Sequence, residues 1–319
     1  MGLEIQVRLV FLGTPRFAVP SLEKLVEAGH DVCAVFTQPD RPKGRGQQTA
    51  LSPVKEAALR LGLAVHQPER VRRAESVELL AGFHTDAMVV VGYGQIIPQA
   101  IIDLPRHGII NVHGSLLPKY RGAAPLQWAV ANGETRTGVT TMLINAGLDT
   151  GDMLLKAETE IGPEETAVEL GERLAITGAN LLVETLEKIA SGVLIAEKQN
   201  DAEATYAPIL KKEDGLVDWH LPASQIYNRF RGLLPWPGTY TTFRGQLLHL
   251  WNVKPAIDIK TGIPGSVQMR NRKVLVSCGN NSALELLEVQ LEGRKIIPAG
   301  AFCNGQHLMD SEMLGEKKN

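Results

Sequence analysis

A chain of 319 residues, 44% hydrophobic and 21% charged, has enough apolar material for a sizeable core, and its length favours two domains or one large one. No apolar run approaches the roughly 20 residues of a membrane-spanning helix, and the start, Met1-Gly2-Leu3-Glu4-Ile5, lacks the basic and long apolar regions of a signal peptide, so no membrane role is expected. The net charge of −2 excludes a uniformly basic nucleic-acid binder. The three cysteines, Cys33, Cys278 and Cys303, are odd in number and form no CxxC pair, which argues against a disulfide framework or structural zinc and fits a reducing cytoplasm.

The front two-thirds alternates strand-like and helix-like segments. Val7–Leu12 is an apolar run closed by Gly13-Thr14-Pro15, and Val19, Leu22, Leu25 and Val26 then recur at helical spacing up to Gly29. Asp31–Phe36 predicts the next strand. Ser52-Pro53 reads as an N-cap followed by proline at the first helical position, opening a helix with Val54, Ala57, Ala58 and Leu61 on one face. Ala64–His66 is a short strand candidate. Asp86–Val91 is almost wholly apolar, as a central parallel strand covered on both faces must be, and Gly108–Val112 is another buried strand. A helix is expected over Pro125–Ala131, a strand over Gly138–Ile144 and a long helix over Thr166–Ala190. This order predicts an α/β fold with an open, mostly parallel, Rossmann-like sheet.

Nucleotide fingerprints are absent from that sheet. Gly92-Tyr93-Gly94 is followed by Ile97 where a third glycine would be needed, and no Walker-type GK[ST] occurs. After Gly192 the pattern changes. Val193–Ile209 has mixed polarity and reads as a connector; a helix is expected over Ala223–Gly232. Leu247–Val253, Ser266–Met269, Lys273–Ser277 and Ala283–Val289 predict a smaller β barrel or sandwich. The tail from Glu312 is expected to fray. From Ala207 to the end there are 14 Lys and Arg against 10 Asp and Glu, so the back of the chain is basic and the front acidic; contact with a polyanion and chance composition both account for this.

Three stretches carry candidate chemistry. Asn111-Val112-His113-Gly114-Ser115-Leu116-Leu117-Pro118 follows a buried strand, and ligand sites of open parallel sheets lie beyond the carboxyl ends of strands. Asn111 and His113 are two apart and share one face of the strand. An amide donor beside an imidazole suits a reaction that builds an oxyanion and moves a proton, and the same pair equally suits plain satisfaction of backbone groups. Gly147-Leu148-Asp149-Thr150-Gly151-Asp152 is a turn-rich loop in which Asp149 and Asp152 are candidate acid/base groups, with a local Asx turn as the alternative for Asp149. No histidine or carboxylate cluster has metal-ligand spacing, and no metal is expected. In Thr37–Gly46, the cations Arg41, Lys43 and Arg45 among two prolines and two glycines make either a phosphate-following loop or an ordinary solvated connector.

Asn111 to Pro118, followed by Arg121-Gly122-Ala123-Ala124-Pro125 and accompanied by Gly147-Leu148-Asp149-Thr150-Gly151, resembles the signature of folate-dependent formyltransferases. Gly13-Thr14-Pro15 with Phe17-Ala18-Val19-Pro20, the basic loop, and Ala204-Thr205-Tyr206-Ala207, Lys212-Glu213-Asp214 and Pro235-Trp236-Pro237-Gly238 resemble the members of that family that act on methionyl-tRNA. The likeness is specific as far as Gly238 and rests beyond it on length and β character. It implies transfer of formyl from 10-formyltetrahydrofolate to the amine of initiator Met-tRNA, with Asn111, His113 and Asp149 catalytic. Ser115, Leu116, Leu117, Pro118, Tyr93 and Gly94 would line the folate site, and Arg41, Lys43 and Arg45 would meet the tRNA. It also implies a catalytic domain over 1–192, a linker over 193–211, an OB-like tRNA-binding barrel over 212–319, and a cytoplasmic monomer. The rivals are a formyltransferase for a small-molecule amine, which would not need the basic loop or second domain, a folate hydrolase releasing formate, and a tRNA-binding protein with a decayed core.

Overall fold

Alternating apolar runs and amphipathic helices build the front two-thirds of the chain into a layered α/β sheet. The structure is a computed structural model and describes residues 6–43, 48–256, 262–270, 272–309 and 312–316. In chain order the strands of the front two-thirds are β1 (Arg8–Gly13), β2 (Asp31–Phe36), β3 (Arg41–Lys43), β4 (Gln48–Ala50), β5 (Val65–His66), β6 (Ala87–Val91), β7 (Ile109–His113), β8 (Arg121–Gly122), β9 (Arg136–Leu143), β10 (Met153–Glu160) and β11 (Tyr206–Ala207). The helices among them are α1 (Val19–Glu27), α2 (Pro53–Arg60), α3 (Ala74–Gly82), α4 (Gln99–Ile102), α5 (Pro125–Ala131) and α6 (Ala167–Ala190).

Seven strands join in the order β10-β9-β7-β6-β1-β2-β5. The run from β7 to β5 is parallel, while β9 lies antiparallel to β7 and β10 antiparallel to β9. All five residues of β6 are buried between β1 and β7, which is why Ala87–Val91 carries no polar side chain. The Rossmann-like expectation holds, with an antiparallel edge in addition. The short loop between β9 and β10 accounts for β10 running antiparallel to β9: a connection this brief returns the chain beside itself, whereas a parallel crossover needs a dozen or more residues. Ser52 caps α2 as expected, its Oγ accepting from Lys55 N at 3.1 Å. The helix α3 and the hairpin β3–β4, whose first strand falls in the Thr37–Gly46 loop, were not expected.

The chain forms two compact units. The first comprises Met1–Pro125, Arg136–Glu160 and Leu170–Ala207; the second comprises Leu126–Thr135, Ile161–Glu169 and Pro208–Asn319. In the second unit α7 (Ala223–Gly232) and α8 (Ala299–Gly305) accompany β12 (Thr239–Phe243), β13 (Gln246–Ala256), β14 (Val267–Arg270), β15 (Lys273–Cys278), β16 (Ser282–Leu291) and β17 (Ile297–Pro298). The sheet runs β12-β13-β16-β15-β14, with β17 on β16, and every pairing is antiparallel. Register shifts between Leu250 and Val253 bend β13 where it follows β16. The core of this unit gathers Trp219, Ile226, Phe230, Phe243, Val276 and Leu284. Cys278 and Cys303 sit in it as free thiols, and burial pushes them up to about 12 and about 11.

The expectation of a frayed tail from Glu312 is overturned for residues 312–316. Leu314 is buried in the second core, Leu314 N donates to Gly265 O at 2.9 Å, and Gly315 N donates to Thr242 O at 2.9 Å. Glu312 pairs with Arg244. Two adjacent apolar residues, Met313 and Leu314, among polar neighbours gave no periodicity to signal this docking. Leu314→Ala is predicted to cost about 2–4 kcal/mol, as buried leucine truncations do. The readout is the urea midpoint of the second unit; a change within about 0.5 kcal/mol, as for a surface substitution, would mean the tail is not docked.

Candidate active site

The carboxyl end of β7 is where the candidate groups converge. Asn111 pairs with Val90 of β6 and Met142 of β9, so sheet holds it on two sides, while His113, past the end of the β6 pairing, is held on one side by Thr140 of β9. Asn111 is 9% exposed and His113 is 5% exposed. Among the described residues no hydrogen bond engages the Asn111 side chain. Part of Asn111 stays accessible at the strand end, so its amide can donate to a molecule that reaches there.

The His113 ring is fixed by its other surroundings. Its Nε2 lies 2.9 Å from the carbonyl oxygen of Tyr120. A carbonyl only accepts, so Nε2 carries the hydrogen, and in the neutral ring Nδ1 holds the lone pair. Nδ1 faces Asp149, with 3.8 Å between Nδ1 and Oδ2. That is charge-pairing distance rather than a hydrogen bond. Oδ2 of Asp149 accepts instead from Gly122 N at 2.8 Å. Neutral His113 therefore has no free N–H to offer, and a proton arriving at Nδ1 would meet a carboxylate.

Asp149 holds a backbone φ of 51°, the left-handed region that costs a side-chain-bearing residue energy and persists where surroundings over-determine it. The Asx-turn role in this loop belongs to Asn145, whose Oδ1 accepts from Gly147 N at 3.0 Å and Thr150 Oγ1 at 2.9 Å. That leaves the Asp149 carboxylate free to reach Gly122 and His113. Gly151 is required by close approach: a Cβ there would stand 1.7 Å from Leu143 O. Asp152 contributes its carbonyl, accepting from Leu143 N at 2.9 Å, which closes the β9–β10 turn.

The loop after β7 is folded on itself. Ser115 Oγ donates to Lys119 O at 2.6 Å, Thr140 Oγ1 donates to Ser115 O at 2.7 Å, and Leu117 N donates to Thr140 Oγ1 at 3.1 Å. Leu117 is buried against Met142 and Met153, Pro118 is buried, and Leu116 is half-buried. The Ser115 hydroxyl is spent within the protein, so this stretch offers a ligand mainly backbone and the Leu116 side chain. Tyr93 points its ring into the first unit's core beside Val10, Met88 and Ile109, and burial pushes its phenol well above its usual range. Its carbonyl accepts from Gln38 Nε2 at 3.0 Å and Thr14 Oγ1 at 3.1 Å. Gly94, at φ 80°, is exposed beside them.

Arg41 is exposed on β3, and Arg41 and Lys43 pair in register with Ala50 and Gln48 of β4. Arg45 lies outside the described residues. Lys55 pairs with Asp40 at the base of this hairpin, and Gln67 Nε2 donates to Asp40 Oδ1 at 2.9 Å. Sequence reasoning missed Thr140, Tyr120 and Gln199, all of which touch the site groups or the loops that carry them. Thr140 and Gln199 reach backbone carbonyls distant in sequence, and Tyr120 acts through its own carbonyl; no motif spacing signals such contacts.

Comparison with known proteins bears on this arrangement directly. Residues 7–186 match the family model described as formyl transferase. The chain belongs to the formyl transferase family. Residues 209–307 of this formyl transferase match the family's C-terminal domain. A methionyl-tRNA formyltransferase of Solibacter usitatus is 65% identical over 310 residues, covering 97% of this chain and 99% of the relative, and one of Koribacter versatilis is 58% identical over 96% and 98%. Among solved structures, WlaRD, a sugar 3N-formyl transferase crystallised with dTDP and 5-N-formyl-THF, shares the fold at TM-score 0.66 and 16% identity, over 91% of this chain and 100% of its own. HypX from Aquifex aeolicus in complex with tetrahydrofolic acid shares it at TM-score 0.61 and 17% identity, over 94% of this chain and 47% of its own.

Gly122 gives the formyl transferase site a direct test of its packing. At φ 123° it adopts backbone that L side chains avoid, and a Cβ would stand 2.5 Å from Ala207 O. Gly122→Ala is predicted to lower stability by about 2 kcal/mol or more through strain and clash together. A thermal midpoint equal to that of the parent chain would contradict the geometry.

Proposed function

We infer that this chain transfers the formyl group of 10-formyltetrahydrofolate to the amino group of methionine carried by initiator tRNA. The observation that carries the reading is the unspent Asn111 amide beside His113 and Asp149, in a chain 65% identical along nearly its whole length to a methionyl-tRNA formyltransferase. The residues suit the carrier: an uncommitted donor, a lone pair at Nδ1 and a carboxylate are what acyl transfer between two nitrogens requires.

The amine attacks the formyl carbon, a C–N bond forms, and the carbonyl oxygen becomes an oxyanion. Asn111 donates to that oxygen from a position the sheet has already fixed, so no reorganisation is needed when the charge appears. The proton lost by the amine is taken at Nδ1 of His113, where Asp149 faces the resulting cation, and is returned to the leaving nitrogen of the carrier as its bond to the formyl carbon breaks. His113 adds a second oxyanion donor only while Nδ1 is protonated. An amine is itself the nucleophile, so no serine or cysteine is needed.

Backbone of Ser115–Pro118, the Leu116 side chain and the Tyr93-Gly94 turn form the walls we assign to the folate. Arg41, Lys43 and Arg45 of the basic loop, and the C-terminal domain over 212–319, are assigned to the tRNA phosphates. The Asp40–Lys55 pair supports this by tying down the base of the hairpin.

Labelled 10-formyltetrahydrofolate incubated with charged initiator tRNA, free methionine and uncharged tRNA is the direct test. Label is expected on the charged tRNA alone; label released as formate, or carried by a small amine, would overturn the reading. Asn111→Ala is expected to lose at least about a hundredfold in rate, roughly 3–4 kcal/mol of barrier, as loss of one oxyanion donor does. Affinity for tRNA is expected to fall at least about tenfold between roughly 50 and 200 mM salt, and a flat profile would remove the phosphate-binding role.

A further inference from the structure

The stretch after α6 that the sequence presents as a connector is threaded through the site. Its start is fixed by reciprocal backbone hydrogen bonds between Met153 and Glu197, each 2.8 Å. Two residues on, Gln199 Nε2 donates to Asp149 O at 2.8 Å and to Gly151 O at 2.7 Å, so one amide spans both arms of the turn that presents the Asp149 carboxylate. Gln199 is itself aimed by Arg121, whose side chain is 2% exposed, with Nε donating to Gln199 Oε1 at 2.9 Å and Nη2 to Asp201 Oδ1 at 2.8 Å.

The same stretch then reaches His113 by a second route. Thr205 Oγ1 accepts from Tyr120 N at 2.8 Å, and Thr205 O accepts from Arg121 N at 2.8 Å. Tyr120 holds φ 59°, and its carbonyl is the one that receives His113 Nε2. β11 then pairs in parallel with β8, setting Ala207 against Gly122, whose N–H binds Asp149.

We propose that residues 197–207 act as a positioning strap, in which Gln199 fixes the Asp149 turn and Thr205 fixes the Tyr120 carbonyl, so that both partners of His113 are set by one segment. Two residues with left-handed backbone, Tyr120 and Asp149, are among those the strap's side chains bind. Backbone that is costly by itself is held where outside hydrogen bonds over-determine it. A shift of about 1 Å in such a group costs on the order of a hundredfold in rate even when the altered residue touches no substrate. Gln199 and Thr205 are thus positioning residues for the proposed formyl transfer, and the kinetic part of the inference rests on that reading.

Gln199→Met keeps the length of the side chain and removes both donations. Its kcat is expected to fall about 10- to 100-fold with KM for folate and tRNA within about twofold, because binding groups are untouched. If Gln199 acts through Asp149, the loss shrinks to about threefold or less in an Asp149→Asn background. An equal loss in both backgrounds would overturn the proposal. Thr205 is exposed, so Thr205→Val tests the second arm without threatening the core. It is expected to lower kcat, with Thr205→Ser restoring it to within about twofold of the parent chain by keeping the hydroxyl.

A readout that needs no substrate separates this inference from the functional one. Amide exchange at Gly122 is expected to quicken at least about tenfold in Gln199→Met, while Ile110 and Val112 in β7 stay protected. Unchanged exchange at Gly122 would overturn the strap whether or not the chain formylates tRNA. Faster exchange with no formyl transfer by the parent chain would keep the strap and remove only the function assigned to it.

Discussion

A carbonyl oxygen accepts and never donates, and the Tyr120 carbonyl at 2.9 Å from His113 Nε2 therefore decides how the whole site can work. It sends the ring hydrogen to Nε2 and leaves Nδ1 as the basic nitrogen facing Asp149. Everything around it serves that orientation. Tyr120 is held in left-handed backbone, Gly122 turns the chain so that its N–H reaches Asp149, and Asp149 is itself left-handed. Asn111, two residues before His113 on the same strand, is left with its amide unengaged.

The sheet explains why these groups meet. Order β10-β9-β7-β6-β1-β2-β5 puts the carboxyl ends of β1, β6 and β7 side by side. The chain reverses its direction of build between β1 and β6, the crevice where open α/β sheets bind ligands. Tyr93 and Gly94 leave the end of β6 there, and Gln38 crosses from the end of β2 to bind the Tyr93 carbonyl. β9 enters antiparallel against β7, and Thr140 uses its hydroxyl to hold the loop carrying Ser115 and Leu117. The turn from β9 to β10 delivers Asp149. Strand polarity thus brings a residue 36 positions beyond His113 back to its side.

Much of this was legible in the sequence, for identifiable reasons. Buried parallel strands must be apolar throughout, so Ala87–Val91 could be read from composition alone. Ser52-Pro53 signalled α2 because a hydroxyl before proline satisfies orphan N–H groups. Ala223–Gly232 agreed residue for residue with α7. The antiparallel edge, the docked Leu314 and the hairpin β3–β4 were hidden, because each depends on partners distant in sequence or on short segments without periodicity. At the site, residue types and spacing brought out Asn111, His113 and Asp149. The contacts that orient them did not show: Tyr120 and Gly122 act through backbone, and Gln199 binds two carbonyls in a segment whose mixed polarity reads as a connector. For Ser115 and Tyr93 the family resemblance implied ligand contacts, and packing turns their side chains inward.

The tautomer of His113 is the measurement that reaches furthest into this account. Nitrogen-15 shifts of the ring, assigned by comparison with His113→Gln and read where the ring is neutral, distinguish the two nitrogens directly. The account predicts hydrogen on Nε2 and a lone pair on Nδ1. Hydrogen on Nδ1 would contradict it, because the Tyr120 carbonyl would then face a second acceptor and the proposed proton path through Nδ1 would be closed.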